Sequence, residues 1–221
     1  MEQGQHKVGR LPTIRRLPAY LHLLRRLHAN GWATVSGTYL AERLGLEPIQ
    51  VRKDLTITGI VGRPRIGFAV PELIAGIEAF LGWDNTTEAV LVGVGHLGTA
   101  LLGYPEFARH GLHVVAAFDS DPEKAGSTVQ EKPVFGMEKL PDLVRRLHVR
   151  IGILTVPAEA AQEAAMAMVH AGITAIWNFT PVTLELPSAI IVQNEDLASG
   201  LAVLSKKVRT QGELTSTPAA S

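Results

Sequence analysis

An α/β chain in two unlike parts is what this sequence predicts: a winged helical N-terminal region, then a doubly wound parallel sheet and a closing helix. Three observations predict it. Apolar residues recur at helical spacing from Leu17 to Leu27, a Gly-x-Gly-x-x-Gly turn follows the apolar run Ala89–Val92, and strand and helix patterns then alternate to Pro181. Charge divides the chain in a similar place. Residues 1–70 hold 11 Lys/Arg against 4 Asp/Glu, net +7, whereas 71–221 hold 10 against 17, net −7, although the whole is neutral. One surface suited to a polyanion and another that is not is the physical implication; chance clustering of solvated charge is the plainer one.

Composition removes several function classes. With no cysteine the chain has no disulfide, thiol switch, thiolate zinc site or iron–sulfur cluster, so any redox sense has to come through a bound ligand. No apolar run approaches the roughly 20 residues of a membrane span. Met1–Arg10 lacks the charged-then-apolar plan of a secretion signal, so a cytoplasmic chain without a membrane partner is expected. The eight histidines are scattered, and neither His-Glu-x-x-His nor Gly-x-Ser-x-Gly occurs. Neither a metal site nor a catalytic residue is expected.

Leu17, Tyr20, Leu21, Leu24 and Leu27 give the first helix one buried face, and Asn30-Gly31 stops it. Ser36 is placed to cap a second helix through Leu40, Ala41 and Leu44, after which Gly45 turns the chain. Pro48 suits the first position of a third helix running to about Gly59. On it Val51 and Leu55 face inward, while Ile49, Arg52, Lys53 and Thr56 share the other side. A short helix, a glycine turn and a basic-faced helix make the plan of a helix-turn-helix, whose second helix enters the major groove. Between Gly59 and Phe68, two apolar runs flank Arg63-Pro64-Arg65, and a hairpin there would form a wing. The DNA-facing candidates are therefore Ser36, Arg52, Lys53, Arg63 and Arg65. A helical adaptor with a solvated basic face is the competing reading.

A linker helix from Pro71 to about Leu81 and the polar stretch Gly82–Thr87 close the first region. Ala89–Val92 then reads as a buried strand running into Gly93-Val94-Gly95-His96-Leu97-Gly98. Gly93 permits the tight turn, Gly95 lets the backbone approach a pyrophosphate, and Gly98 lets the following helix pack close to the strand, as in a Rossmann-type dinucleotide fold. A second strand, His113–Phe118, ends at Asp119, 21 positions beyond Gly98. A carboxylate there binds adenosine ribose hydroxyls and repels the 2′-phosphate of NADP. Asp121 is the alternative acid. Val149–Leu154 is the next strand, Ala158–His170 a helix, and Ile173–Trp177 a further strand. Ligands in such sheets sit beyond the strands' carboxyl ends, so Thr155 and Asn178 are expected to line the groove. Tyr104, at a helix break before Pro105, is a groove candidate or a packing residue.

Leu197, Leu201, Leu204 and Val208 form one apolar stripe on a terminal helix that needs a surface to cover. Its own body and a second copy of the chain are equal candidates. Thr210–Ser221 is small and polar and is expected to be disordered. The expected division is 1–81, winged helix and linker helix; 82–194, Rossmann region; 195–221, closing helix and tail.

Arg16-Leu-Pro-Ala-Tyr-Leu21, Gln50-Val-Arg-Lys-Asp-Leu55, the glycine loop, Phe118-Asp-Ser-Asp-Pro-Glu-Lys124, Thr155-Val-Pro-Ala-Glu-Ala160 and Asn178-Phe-Thr-Pro181 together resemble the redox-sensing repressor Rex family, from about Leu17 to about Leu204. The resemblance implies a homodimer that binds a palindromic operator when NADH is scarce and releases it when NADH binds. It implies an exchanged C-terminal helix, with the nicotinamide rings near the dimer interface. It also implies that Arg52 and Lys53 are recognition-helix contacts, Gly93–Gly98 the pyrophosphate loop and Asp119 the ribose acid. Tyr104 matches a groove tyrosine and Asp196 an aspartate opening the exchanged helix.

Three departures stand out. The family's wing usually reads Arg-Gly before Gly-Tyr, whereas Pro64-Arg65 precedes Gly67-Phe68 here, leaving the groove contact to Arg63 or Arg65. Where close relatives can carry an arginine linking the DNA region to the Tyr/Asp pair, this chain has His22. The tail beyond Lys206 does not match. Two other readings compete: an NAD-dependent oxidoreductase with an accessory basic domain, and a coenzyme A binder, which Asp119 disfavours. The oxidoreductase needs a proton donor beside the ring, and no His or Lys is read as following a strand in the groove.

Overall fold

The computed structural model describes residues 11–215, which separate into two compact units divided between Thr86 and Thr87. No described helix is long and apolar enough to cross a membrane.

In the first unit, α1 (Leu11–Ala29) buries Leu17, Tyr20, Leu21, Leu24 and Leu27, with Leu23 added to the stripe. The chain then passes through β1 (Thr34–Val35) into α2 (Gly37–Leu44), where Ser36 Oγ accepts from the Tyr39 N–H at 3.1 Å and Gly45 ends the helix. The third helix, α3 (Pro48–Thr56), stops three residues short of the expected end; Thr58 and Gly59 continue in hydrogen-bonded turns. A short strand β2 (Phe68–Ala69) pairs antiparallel with β1. The expected wing hairpin is thus much reduced. Arg63 and Gly67 form a single antiparallel bridge around a tight turn, and the strand beyond it pairs with β1 instead of folding back on 59–62.

The linker helix is α4 (Val70–Leu81), and its buried Val70, Leu73 and Ile77 belong to the same core as α1, α2 and α3. An ion pair of 2.8 Å between Arg25 and Glu78 ties α1 to α4 at the rim of that core.

The second unit is built on a seven-stranded sheet among the described residues, ordered β5-β6-β4-β3-β7-β8-β9. Its strands are β3 (Thr87–Val92), β4 (Leu112–Asp119), β5 (Thr128–Val129), β6 (Lys132–Gly136), β7 (Ile151–Leu154), β8 (Ala175–Asn178) and β9 (Ile191–Asn194). All pairings are parallel except β5 with β6. Without β5 this is the doubly wound dinucleotide-fold order, in which the chain reverses direction across the sheet between β3 and β7. Both faces are covered: Val90, Val92 and Phe118 pack in one core with Ala161, Ala165 and Met168, while Leu91, Ala117 and Ile153 lie in another.

The connecting helices are α5 (His96–Leu102), α6 (Pro105–Arg109), α7 (Leu140–Leu147), α8 (Ala158–Ala171) and α9 (Leu197–Thr215). Tyr104-Pro105 does separate α5 from α6. Strands β5, β6 and β9 and helix α7 lie where no element was read in the sequence; β5, β6 and β9 are short, and β9 is largely exposed. On α9, Leu201, Leu204 and Val208 are about 60% exposed, as an apolar stripe awaiting a covering surface would be. Residues 210–215 extend that helix and are not a coil; 216–221, like Met1–Arg10, lie outside the described residues.

Candidate functional site

At the carboxyl ends of β3 and β7, where the strand order reverses, the second unit holds a cavity of about 730 Å³. Its floor is the glycine turn. Gly93 has φ +102°, and a Cβ there would meet the Thr155–Val156 backbone at 2.8 Å. At Gly98 a Cβ would sit 2.0 Å from the Gly93 carbonyl, so α5 can approach β3 only without a side chain at that point. Gly95 differs. A Cβ there meets nothing within 4 Å, so protein packing does not account for this glycine and the backbone is left open on the cavity side.

Asp119 closes β4 beside that turn and is 8% exposed. Its Oδ2 accepts from the Val94 N–H at 2.7 Å and from Lys124 Nζ at 3.0 Å, and its Oδ1 accepts from the Asp121 N–H at 2.9 Å. Burial alone would raise the pKa of this carboxyl, but the Asp121, Lys124 and Val94 hydrogen bonds outweigh it and hold the group below its ordinary value. The acid is therefore ionised at neutral pH. Asp121 is more exposed, and its Oδ1 accepts from the Glu123 N–H at 3.0 Å.

Gly93, Gly95, Leu97, Asp119 and Thr155 all line the cavity. Thr155 Oγ1 donates to the Gly93 carbonyl at 2.7 Å, which pins the end of β7 to the turn after β3. Val94, His96 and Gly98 belong to the turn but not to the cavity wall. Asn178 is placed otherwise than expected. It is fully buried, with its Nδ2 donating to the Val182 carbonyl and Asn194 Oδ1 and its Oδ1 accepting from the Thr180 N–H and hydroxyl. That network holds the following loop so that Phe179, Thr180 and Pro181 face the cavity.

Tyr104 is 49% exposed and stands outside the cavity wall, but it begins a run of rings. Tyr104, Phe107, Trp177 and Phe179 follow one another with centroids 5.3, 5.4 and 5.0 Å apart, and Phe179 lines the cavity. Trp177 Nε1 donates to Glu195 at 3.0 Å, next to Asp196. Asp196 itself is exposed and caps α9, accepting from the Ala198 N–H at 2.9 Å and the Ser199 hydroxyl at 2.6 Å. Those bonds, the Ser199 hydroxyl first, hold its pKa below the usual carboxylate value.

Sequence reading missed Lys124 on the cavity wall, although the segment Phe118–Lys124 had been singled out. It corrects the expectation that no lysine stands in the groove after a strand. Its ammonium is held between Asp119 at 3.0 Å and Asp121 at 3.9 Å.

In the first unit, Ser36, Arg52, Lys53, Arg63 and Arg65 are all exposed. None of the four cations forms an ion pair among the described residues. Arg52 and Arg63 line one shallow groove between α3 and the wing turn; Ser36, Lys53 and Arg65 lie outside it. Thr56, read as part of the displayed face, turns its hydroxyl back to the Arg52 carbonyl at 2.7 Å.

What presents that face is a residue given no role in the sequence reading. Asp54 is completely buried and accepts from Arg16 Nε and Nη2 at 2.7 Å each, Gln50 Nε2 at 2.8 Å, Thr13 Oγ1 at 2.9 Å and Tyr20 OH at 3.2 Å. Burial would raise the Asp54 pKa; the bonds from Arg16, Gln50 and Thr13 bring it below its ordinary value, while burial and the neighbouring Asp54 charge raise that of Tyr20. A carboxylate three residues after Val51, on the apolar side of α3, was the available signal.

Comparison with known proteins finds matches in both units. A family model described as "CoA binding domain" matches residues 84–182, and one described as "Putative DNA-binding protein N-terminus" matches residues 11–56. A redox-sensing transcriptional repressor Rex of Treponema denticola is 53% identical over 208 residues, covering 94% of this chain and 99% of that protein. The crystal structure of RSP, a Rex-family repressor, in complex with NAD⁺ and operator DNA is 33% identical, with a TM-score of 0.84 and coverage of 95% of this chain and 98% of RSP. The RSP complex with NADH gives the same identity and TM-score over 93% of this chain and 96% of RSP. With a relative this similar along nearly its whole length, and with the same fold, the chain belongs to the Rex family of redox-sensing transcriptional repressors.

Proposed function

We propose that the chain is a transcriptional repressor that senses the NADH/NAD⁺ ratio, binding double-stranded operator DNA as a homodimer when NADH is low and releasing it when NADH binds. The observation that carries this is the presence in one chain of two sites: an apolar-walled cavity with an ionised acid at a topological switch point, and a winged helix-turn-helix whose helix and wing turn expose four cations with no ion pair among the described residues. The cavity volume falls in the range of small-molecule sites, roughly 300–1,000 Å³. Gly95 leaves room for a pyrophosphate, and Asp119 stands where ribose hydroxyls would be held. The nucleotide supplies the redox signal; this chain's residues bind and orient it.

The residue assignments belong to the same proposal. Gly93–Gly98, Asp119 and Thr155 form the nucleotide cradle; Tyr104, Asn178 and Asp196 position the rings and loop around it. Ser36, Arg52, Lys53, Arg63 and Arg65 face DNA. The working division is 1–81 for the winged helix and linker helix, 82–194 for the Rossmann region and 195–221 for the helix exchanged between subunits and its tail. The exposed stripe on α9 supports the dimer, since it would be buried by a second copy. NADH favours an arrangement of that dimer whose recognition helices no longer match major grooves ~34 Å apart. The protein acts in the cytoplasm and turns over no substrate.

Operator binding at fixed salt, measured with and without NADH, tests this reading. NADH is expected to release the DNA and to quench Trp177, whose ring centroid lies 5.0 Å from that of cavity-lining Phe179. Unchanged operator affinity at saturating NADH would reject the switch. The match to the CoA-binding description favours one further reading, coenzyme A in the same cavity. Displacement of bound NADH by coenzyme A at equal concentration would support it, and steady hydride turnover would favour an oxidoreductase.

A further inference from the structure

Ile49 is 67% exposed, yet it stands in the first turn of α3, on the face that carries Arg52 and Lys53. At about 100° per residue it lies within about 60° of both cations, between them on the helix surface. Asp54 holds the opposite, buried side of α3 through Arg16, so this face is presented outward and not free to roll inward. The surface therefore combines one apolar side chain with two flanking cations that have no ion-pair partner among the described residues.

A phosphate backbone satisfies Arg52 and Lys53 but offers nothing apolar to Ile49. Within reach of a helix in the major groove, duplex DNA presents one apolar group, the C5-methyl of thymine. The first turn of a recognition helix is also the part that reaches base edges. We propose that Ile49 is a specificity-determining residue that packs on a thymine methyl in each operator half-site. This rests on the reading of the chain as an operator-binding repressor and adds the base that its helix selects.

The test begins with duplexes enriched from a randomised library by the full-length wild-type protein. In the consensus duplex, each thymine of one half-site is replaced in turn by deoxyuridine, which removes only the methyl group. Wild type is expected to lose roughly fourfold in affinity at one position, the worth of one methyl withdrawn from water. Ile49→Ala is expected to bind the thymine and deoxyuridine duplexes equally at that position. Its salt dependence should stay unchanged, because no phosphate contact is lost. Ile49→Val should retain part of the discrimination. A half-site consensus without thymine, or identical deoxyuridine profiles for wild type and Ile49→Ala, would overturn the proposal while leaving the repressor reading intact. Failure to enrich any duplex would overturn both. Because Ile49 is exposed, the variants should match wild type in thermal unfolding.

Discussion

Asp119 Oδ2 accepts a 2.7 Å hydrogen bond from the Val94 N–H, so the acid that ends β4 is fastened to the glycine turn that follows β3. One carboxylate thus shapes the turn and presents charge to the cavity. Asp119→Asn keeps an acceptor there but removes the charge proposed to hold ribose hydroxyls and repel a 2′-phosphate. NADH affinity is expected to fall roughly ten- to hundredfold, a charged hydrogen bond being worth roughly 1.5–3 kcal/mol, and the preference over NADPH to narrow. Fluorescence titration with both nucleotides measures the two effects; unchanged values would remove Asp119 from the site.

The two glycines of the turn should separate stability from binding. Gly98→Ala places a Cβ 2.0 Å from the Gly93 carbonyl, which the rigid turn cannot move aside, so about 1–3 kcal/mol of stability should be lost. Gly95→Ala meets no protein atom within 4 Å and should leave thermal unfolding nearly unchanged while weakening NADH binding. Equal effects of the two substitutions on melting would contradict this division.

Arg16 and Asp54 set the acid stability of the first unit. The folded-state pKa of Asp54 lies below its ordinary value of 3.8, so the unfolded chain binds the proton more readily. The stabilisation is thus present in full above the unfolded pKa and is lost as pH falls through the folded one. Arg16→Ala strands a buried carboxylate and should cost about 3–5 kcal/mol at neutral pH. Circular dichroism melts over a pH series should show the gap between wild type and Arg16→Ala narrowing as pH falls below the ordinary carboxylate range; a gap that stays constant or widens on acidification would refute it.

Arg52, Lys53 and Arg63 should be separable by salt. Lys53→Ala is expected to weaken all duplexes alike and to lower the slope of log affinity against log salt by about 1. Arg52→Ala and Arg63→Ala share a groove and should interact in a double-mutant cycle by about 0.5–3 kcal/mol. Strict additivity in operator binding would argue that they touch different parts of the DNA.

Much of this site was legible because its signals are local. The stripe from Leu17 to Leu27, the Ser36 cap, the Gly45 stop, and the interval from the glycine turn to Asp119 each depend on residues close in sequence or on one strand-helix-strand unit. So the helix-turn-helix, the glycine turn and the acid beside it could be read directly.

Tertiary packing decided what those signals left open. Asp54 acquires its meaning from Arg16 and Thr13, 38 and 41 residues away, because only the docking of α3 on α1 brings donors to a buried carboxylate. Asn178 turns inward and Phe179–Pro181 outward because the pairing of β8 with β7 and β9 sets which side of the strand end faces the cavity. The wing shrinks to one bridge because β2 finds its hydrogen-bond partner in β1. Sequence patterns record which residues prefer burial or a turn, but a buried charge or a short strand is stabilised by partners that only the folded chain supplies.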